Sequence, residues 1–314
     1  MNVPSDNYDD KELLAFLGER ESQDINWGSD YVAELGDRLK NGKLLEGSKL
    51  PWGKSHNIIR FREGEVSIWA GMNGHKKSML LGQIMMWFAQ EERVGIASFE
   101  MPVLDTMQRM VHQAAGCVPG QEFGERWAIW NHERICYYDQ LDTVPSERVL
   151  GVIFYMAKEL GCKHIMVDSL TKCGLPSKDC DAEKRFIDTL SATAKALKVH
   201  IHLVAHVRKP QQGGETYQPN KFDIRGAGEL TDLVDNVMIC WKDKKVEDIR
   251  RKVENSFTLT SDETKYIEDN PDQRLICAKQ RRGEWEGQLG LWFHQPSLQF
   301  TPDARNLPLP FEMS

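Results

Sequence analysis

Short apolar runs alternate with amphipathic stretches along most of this chain. Residues 66–70, 94–99, 135–138, 164–167, 200–207 and 237–241 are apolar, strand-length and rich in β-branched and aromatic side chains. Between them, residues 79–88, 102–115, 146–160 and 181–197 place apolar side chains at helical spacing. Strands that alternate with helices of ten to fifteen residues predict an α/β fold, with a mostly parallel sheet covered by helices on both faces. In such sheets ligands bind beyond the carboxyl ends of the strands, so chemistry-bearing residues are expected just after the apolar runs.

The flanks read differently. Residues 1–28 are polar and acidic and are expected to be a flexible segment, with room for one short helix from Asp9 to Leu17. Residues 29–42 begin with a Ser/Asp cap, repeat Val32, Leu35 and Leu39 at helical spacing and stop at Gly42, which predicts a second helix within a linker of residues 29–46. That helix packs on its own domain or docks on a neighbouring subunit, and periodicity alone favours neither. Residues 242–274 are mostly charged and read as an insertion, with an exposed helix over 242–254. Residues 275–279 and 288–293 then form a closing antiparallel pair, and a tail with Pro308 and Pro310 looks unstructured. The main α/β domain is expected to span 47–302 and the tail 303–314.

Composition narrows the class. At 314 residues with 40% hydrophobic content there is enough chain for a sizeable core. A net charge of −7 excludes a globally basic nucleic-acid binder, so any contact with nucleic acid must come from a local patch or channel. Seven cysteines without a CxxC pair suit reduced thiols in a cytoplasmic protein rather than a zinc site or disulfide framework. No signal peptide and no apolar run of membrane-spanning length is present, so no membrane association is expected.

Candidate chemistry starts at Gly71-Met72-Asn73-Gly74-His75-Lys76-Lys77-Ser78-Met79, between the first apolar run and its helix. Strand, glycine-bearing loop, Lys-Ser and helix is the context of a phosphate-binding loop, in which backbone N–H groups and the helix N-terminus cradle phosphates. Lys77 would reach the β- and γ-phosphates and Ser78 would hold Mg²⁺. One position departs from the pattern G-x-x-x-x-G-K-[ST]: Lys76 stands where Gly is expected. The plain alternative is a glycine-containing turn between a buried strand and a helix.

Five further candidates lie on or after apolar runs. Glu100, in S-F-E-M-P, either orients an attacking water or caps the helix that Pro102 begins. Asp168, in I-M-V-D-S, suits a carboxylate that holds Mg²⁺. His206 at the next strand tip either senses the γ-phosphate or is a satisfied core histidine. The polar stretch after it, with Arg208, Lys209, Lys221 and Arg225, suits contact with a phosphate backbone or is a solvated loop. Lys279 and Arg281 lie two residues apart on a strand, hence on one face, where paired cations can clamp a γ-phosphate, or they belong to a charge-rich surface turn.

Together these pieces resemble the RecA-like ATPase domain of the DnaB-type replicative helicases of phage and mitochondrial style. The resemblance covers about residues 50–300 and keeps the family's motif order through S-F-E-M-P, I-M-V-D-S, A-H-V-R-K, D-I-R-G-A-G and A-K-Q-R-R-G. It implies a RecA-like fold and ATP with Mg²⁺ as cofactors. Lys77 and the loop residues Gly71 to Met79 would bind nucleotide, Ser78 and Asp168 metal, with Glu100 as catalytic base and His206 as sensor. Lys279 and Arg281 would be supplied to a neighbour's phosphate in a homo-oligomeric ring, by family habit a hexamer. Arg208, Lys209, Arg225, Gly226 and Gly228 would line a channel for single-stranded DNA. It further implies 5′-to-3′ translocation, a phage or mobile-element origin with action in the host cytoplasm, and primase, polymerase or single-strand-binding protein as partners. Two rivals remain: a RecA/RadA-like recombination ATPase that shares the core, and, of another class, a nucleotide- and DNA-binding loader or adaptor with little turnover, which Lys76 keeps in view.

Overall fold

The computed structural model describes residues 26–41, 46–176, 179–208, 214–225 and 227–313. The chain divides into two compact units, residues 1–45 and 46–314. In the first, a 3₁₀ turn Gly28–Tyr31 leads into helix α1, Val32–Asn41. The helix expected over 29–42 is thus a 3₁₀ turn followed by a shorter α-helix, whose Val32, Leu35 and Leu39 are all exposed. The helix expected from Asp9 lies outside the described residues.

The second unit is built on one nine-stranded sheet. Its elements run β1 (Val66–Gly71), α2 (Lys77–Phe88), β2 (Val94–Ser98), α3 (Val103–Ala115), α4 (Gln121–Asn131), β3 (Ile135–Tyr138), α5 (Ser146–Lys158) and β4 (His164–Asp168). They continue α6 (Cys180–Leu197), β5 (His200–His206), α7 (Ala227–Leu233), β6 (Asn236–Lys242), α8 (Lys244–Glu254), α9 (Ser261–Asp269), β7 (Gln273–Gln280), β8 (Gly287–His294) and β9 (Gln299–Thr301). The strand order is β3-β2-β4-β5-β1-β6-β7-β8-β9. The first six strands are parallel and the last three antiparallel. This is the expected RecA-like arrangement with an antiparallel extension.

Alternation along β1 shows how both faces are covered. Val66, Ile68 and Ala70 join a core with Val149 and Ile153 of α5 and Ile187 and Leu190 of α6. Trp69 points the other way, into a core with Leu81, Ile84 and Met85 of α2. A strand buried on both sides reads as a continuous apolar run, as β1 does.

Four elements were not anticipated, among them helix α7, which begins within the stretch expected to contact DNA. Helix α4 places Phe123, Trp127 and Trp130 at i, i+4 and i+7, against the α2 side of the sheet. Helix α9 starts at a capping box in which Thr260 and Glu263 satisfy each other's backbone N–H. Strand β9 is three residues long. The tail, expected to be unstructured, has no regular element, yet it is packed. Phe311 sits edge-on to Trp87 at 5.1 Å and Trp130 at 4.9 Å, and the Leu309 amide donates to Gln299 Oε1 at 2.7 Å.

A polar seam crosses the α2 side of the parallel sheet. Trp69 Nε1–H donates to His202 Nδ1 at 3.1 Å, so His202 carries its proton on Nε2, 3.0 Å from His164 Nδ1. His164 Nε2 then faces Glu92 at 3.0 Å and Ser48 at 2.8 Å. His200 lies between the Arg62 carbonyl and Ser67 Oγ, each at 2.7 Å. Burial holds His200 and His202 well below the ordinary histidine range. All seven cysteines are unpaired.

Candidate nucleotide site

The carboxyl ends of β1, β2, β4 and β5 converge on a cleft of about 740 Å³, lined among others by Lys77, Ser78, Glu100, Asp168 and His206. Every strand-tip residue singled out from the sequence therefore meets there, although the four strands are far apart in the chain.

The loop between β1 and α2 explains itself residue by residue. Gly71 closes β1, where a Cβ would lie 2.5 Å from the Cys240 carbonyl oxygen of β6, so no larger residue fits. Gly74 takes φ +78°, as a tight turn requires. Lys76 immediately precedes α2 with φ 56° and ψ 27°. It adopts the left-handed conformation that the expected Gly would supply. Its ammonium lies 3.0 Å from the centroid of the Phe293 ring of β8. Burial, then Lys242, lowers its pKa to about 8. His75 does not line the cleft: its Nδ1 accepts from the Lys242 amide at 3.2 Å and its carbonyl accepts from Gln273 Nε2 at 3.1 Å. It anchors the loop to β6 and β7. Asn73, Gly74, Lys76 and Met79 do line the cleft.

Three groups are wired together. The Lys77 ammonium donates to the carbonyls of Gly71 and Met72, both at 3.0 Å, and reaches His206 Nδ1 at 3.4 Å. With Nδ1 accepting, His206 carries its proton on Nε2, which faces Glu100 Oε1 at 3.5 Å. Ser169 Oγ donates to the same oxygen at 2.5 Å, and the Thr171 hydroxyl supports Ser169 at 2.7 Å. The His206 hydrogen bond, helped by Ser169 and Lys77, holds the Glu100 carboxyl down at about 2. Glu100 is ionised at neutral pH and partly open to solvent, which a water-orienting base needs.

Asp168 is almost fully buried beside Ser78. Burial raises its pKa, and the Ser78 hydroxyl pulls it back. One hydroxyl and one carboxylate side by side fit a Mg²⁺ ion that takes its other ligands from water and phosphate. Among the described residues no group of three or more His, Cys, Asp or Glu is placed to hold a metal unaided.

Sequence reasoning missed Arg109 and Ser169. Arg109, on α3, lines the cleft. Its signal is a cation two turns into the helix that Pro102 begins. Ser169 follows Asp168 directly, and its role depends on Glu100, 69 residues earlier.

Lys279 and Arg281 are not brought to this cleft. At their end of β7, Gln280 pairs with Asn236, which pairs with Ser67 near the start of β1, so they stand at the opposite edge of the sheet from the loop. The Lys279 ammonium donates to the carbonyls of Thr231 and Asp232 at 2.7 and 2.9 Å, and Arg281 to that of Asp232 at 2.8 Å. Both cations cap the C-terminal end of α7, where they suit the helix dipole.

The basic stretch after β5 is tied to His206. The Arg208 amide donates to the Asp223 carbonyl at 2.7 Å, and the Arg225 amide to the His206 carbonyl at 3.1 Å. Both side chains are exposed. Gly228 lies in α7, whereas Lys209 and Gly226 lie outside the described residues. No described helix is long and apolar enough to cross a membrane.

Comparison with known proteins gives the context of this site. Over 306 residues the chain is 24% identical to a DNA helicase/primase of Enterobacteria phage T3, covering 86% of this chain and 53% of that protein. The chain thus spans about half the length of this relative. A solved structure described as an ATPase domain superposes with a TM-score of 0.68 at 14% identity, covering 88% of this chain and 99% of the other. A DnaB-like replicative helicase, solved in a study of its interactions with primase, gives 0.65 at 14% identity over 93% of this chain and 71% of the other. These two likenesses establish the fold. Residues 56–302, most of the sheet-bearing unit, match the DnaB-like helicase C-terminal domain, and the chain belongs to that family.

Proposed function

We propose that this chain is an ATP-driven DNA helicase of phage type that moves 5′ to 3′ on single-stranded DNA as a homo-oligomeric ring, by family habit a hexamer. The observation that carries the reading is the hydrogen-bonded chain Lys77–His206–Glu100 across the mouth of the cleft. It couples the group that would hold the terminal phosphates to the group that would orient water.

ATP would enter the cleft with its phosphates against the loop. Lys77, now satisfied by two loop carbonyls, would exchange those partners for the β- and γ-phosphates. Ser78 and Asp168 would hold Mg²⁺, which when bound neutralises charge on the phosphate oxygens. Glu100 would orient and polarise the attacking water, and Arg109 would face the phosphates from α3. Lys279 and Arg281, at the far edge of the sheet, would serve the cleft of the neighbouring subunit, an arrangement that makes hydrolysis depend on the ring. Loss of the γ-phosphate would release Lys77 to His206. The Arg225–His206 backbone bond would pass the change to the basic stretch from Arg208 to Gly228, which would contact phosphates of single-stranded DNA. Primase, as in the study of the DnaB-like relative, is a candidate partner, as are a polymerase and single-strand-binding protein.

The test is ATP hydrolysis with and without single-stranded DNA, run beside Lys77→Ala. Strong stimulation by DNA that disappears in the variant supports the motor. Absence of hydrolysis in both, with DNA binding retained, replaces it with the low-turnover adaptor.

A further inference from the structure

The stretch that follows His206 carries one residue that phosphate contact does not use. Phe222 is 70% exposed in an otherwise polar turn. An exposed phenylalanine on a floppy loop would say little, but this one is fixed. It lies in a 3₁₀ turn, Lys221–Asp223, closed by a capping box: Asn220 Oδ1 accepts from the Phe222 amide at 2.8 Å, and the Asn220 amide donates to Asp223 Oδ2 at 2.7 Å. The Tyr217 hydroxyl donates to the same Asp223 oxygen at 2.9 Å, and Trp241 Nε1–H of β6 donates to the Tyr217 carbonyl at 2.9 Å. On its other side the turn is held by the Arg208 amide and by Ile224, which is fully buried and bridges to Val207. The ring is therefore held out to solvent by a turn braced on both β5 and β6.

Its surroundings are cationic. Arg208 and Arg225 are exposed on either side of the turn, and the Lys221 ammonium lies 5.6 Å from the Phe222 ring centroid. The one carboxylate of the turn, Asp223, is occupied by Tyr217 and the Asn220 amide. An aromatic face flanked by cations that track a backbone is the arrangement by which proteins hold single strands without reading sequence, because every base has a π-face.

We propose that Phe222 is a stacking platform for a base of the single strand, so that this chain grips DNA by a base as well as by phosphates. The inference rests on the DNA-binding reading above and goes beyond it, since that reading invokes the backbone alone. Stacking on a rigid ring adds a foothold that moves with the turn, and the turn is joined to His206 through the Arg225 amide.

The experiment measures affinity of the full chain, with a non-hydrolysable ATP analogue, for a labelled thymidine oligonucleotide and for an abasic oligonucleotide of equal length. The wild type binds the thymidine strand more tightly. Phe222→Ala weakens binding to the thymidine strand by about 5- to 150-fold, the range for one lost stack, and no longer distinguishes the two strands. Phe222→Tyr keeps the preference, and Phe222→Leu, with bulk but no π-face, loses it. Equal binding of both strands by the wild type, with binding itself intact, overturns the stacking proposal and leaves the DNA reading standing. So does a Phe222→Ala variant whose affinity is unchanged, or one that loses only assembly of the ring, which would make Phe222 a contact between copies. Failure of the wild type to bind either strand overturns both.

Discussion

Lys76 gives the sharpest prediction, because it occupies a glycine position by adopting glycine's conformation. Its φ of 56° is left-handed, and its ammonium is held against Phe293. Replacing Lys76 by Gly and by Ala deletes the same ammonium and the same ring contact, so those losses cancel when the two variants are compared. What remains is the backbone. A Cβ in the left-handed region costs about 1–2 kcal/mol, and the greater freedom of glycine in the unfolded chain returns about 0.4–1 kcal/mol of this. Lys76→Gly should therefore exceed Lys76→Ala in stability by on the order of 1 kcal/mol. Urea unfolding of the two variants measures this from their midpoints at equal slope. Nucleotide affinity should follow the same order, with about a fivefold difference if the full 1 kcal/mol falls on the phosphate loop. An alanine variant as stable as the glycine variant, or more so, would refute a left-handed residue at this position.

Three other predictions follow from the geometry. Gly71→Ala places a methyl 2.5 Å from the Cys240 carbonyl, a backbone atom that cannot swing aside, and should abolish nucleotide binding while costing about 1–3 kcal/mol of stability; a variant that binds normally contradicts the fit. His200 and His202 are held neutral by burial, so below about pH 6.5 the unfolded chain takes up protons that the folded chain does not, and stability falls as pH falls. Between pH 7 and 5.5 the two together should cost about 2.5 kcal/mol; comparing urea midpoints with His202→Gln cancels buried carboxylates such as Glu65, and equal pH slopes would contradict the claim. Arg281→Ala should reduce hydrolysis by about 10³- to 10⁵-fold, and mixing it with Lys77→Ala should restore part of the activity, because some clefts then have both an intact loop and an intact neighbour; an active Arg281→Ala protein would rule out this role.

Much of the site was legible because its residues end buried strands. An apolar run that stops at Asp168 or His206 places that side chain at a carboxyl edge whatever the rest of the chain does, and β1, β4 and β5 lie side by side. The parallel strands were legible for the same reason, since burial on both faces leaves a run that is apolar apart from the few seam residues. Features set by contacts between distant segments were not. Nothing near Lys76 announces Phe293, some 200 residues later, and nothing in the proline-bearing tail announces that Phe311 will fill a gap between Trp87 and Trp130. Helix α9 escaped notice because its stretch is mostly charged, so its capping box, rather than apolar periodicity, marks where it starts. His75 was grouped with the phosphate-binding residues by its place in the loop, and nothing in that stretch announces its added pairing with Lys242 and Gln273, which anchors the loop.

The central claim is that Glu100 orients water for hydrolysis at a cleft that also binds the nucleotide. Measuring ATP binding and DNA-stimulated hydrolysis for Glu100→Gln tests it most directly. Gln keeps the shape and can still accept hydrogen bonds from Ser169 and His206, but it lacks the negative charge. The account predicts that binding stays close to wild type while hydrolysis falls by about 10²- to 10⁴-fold. Hydrolysis that survives the substitution, at an unchanged rate and still stimulated by DNA, would contradict it.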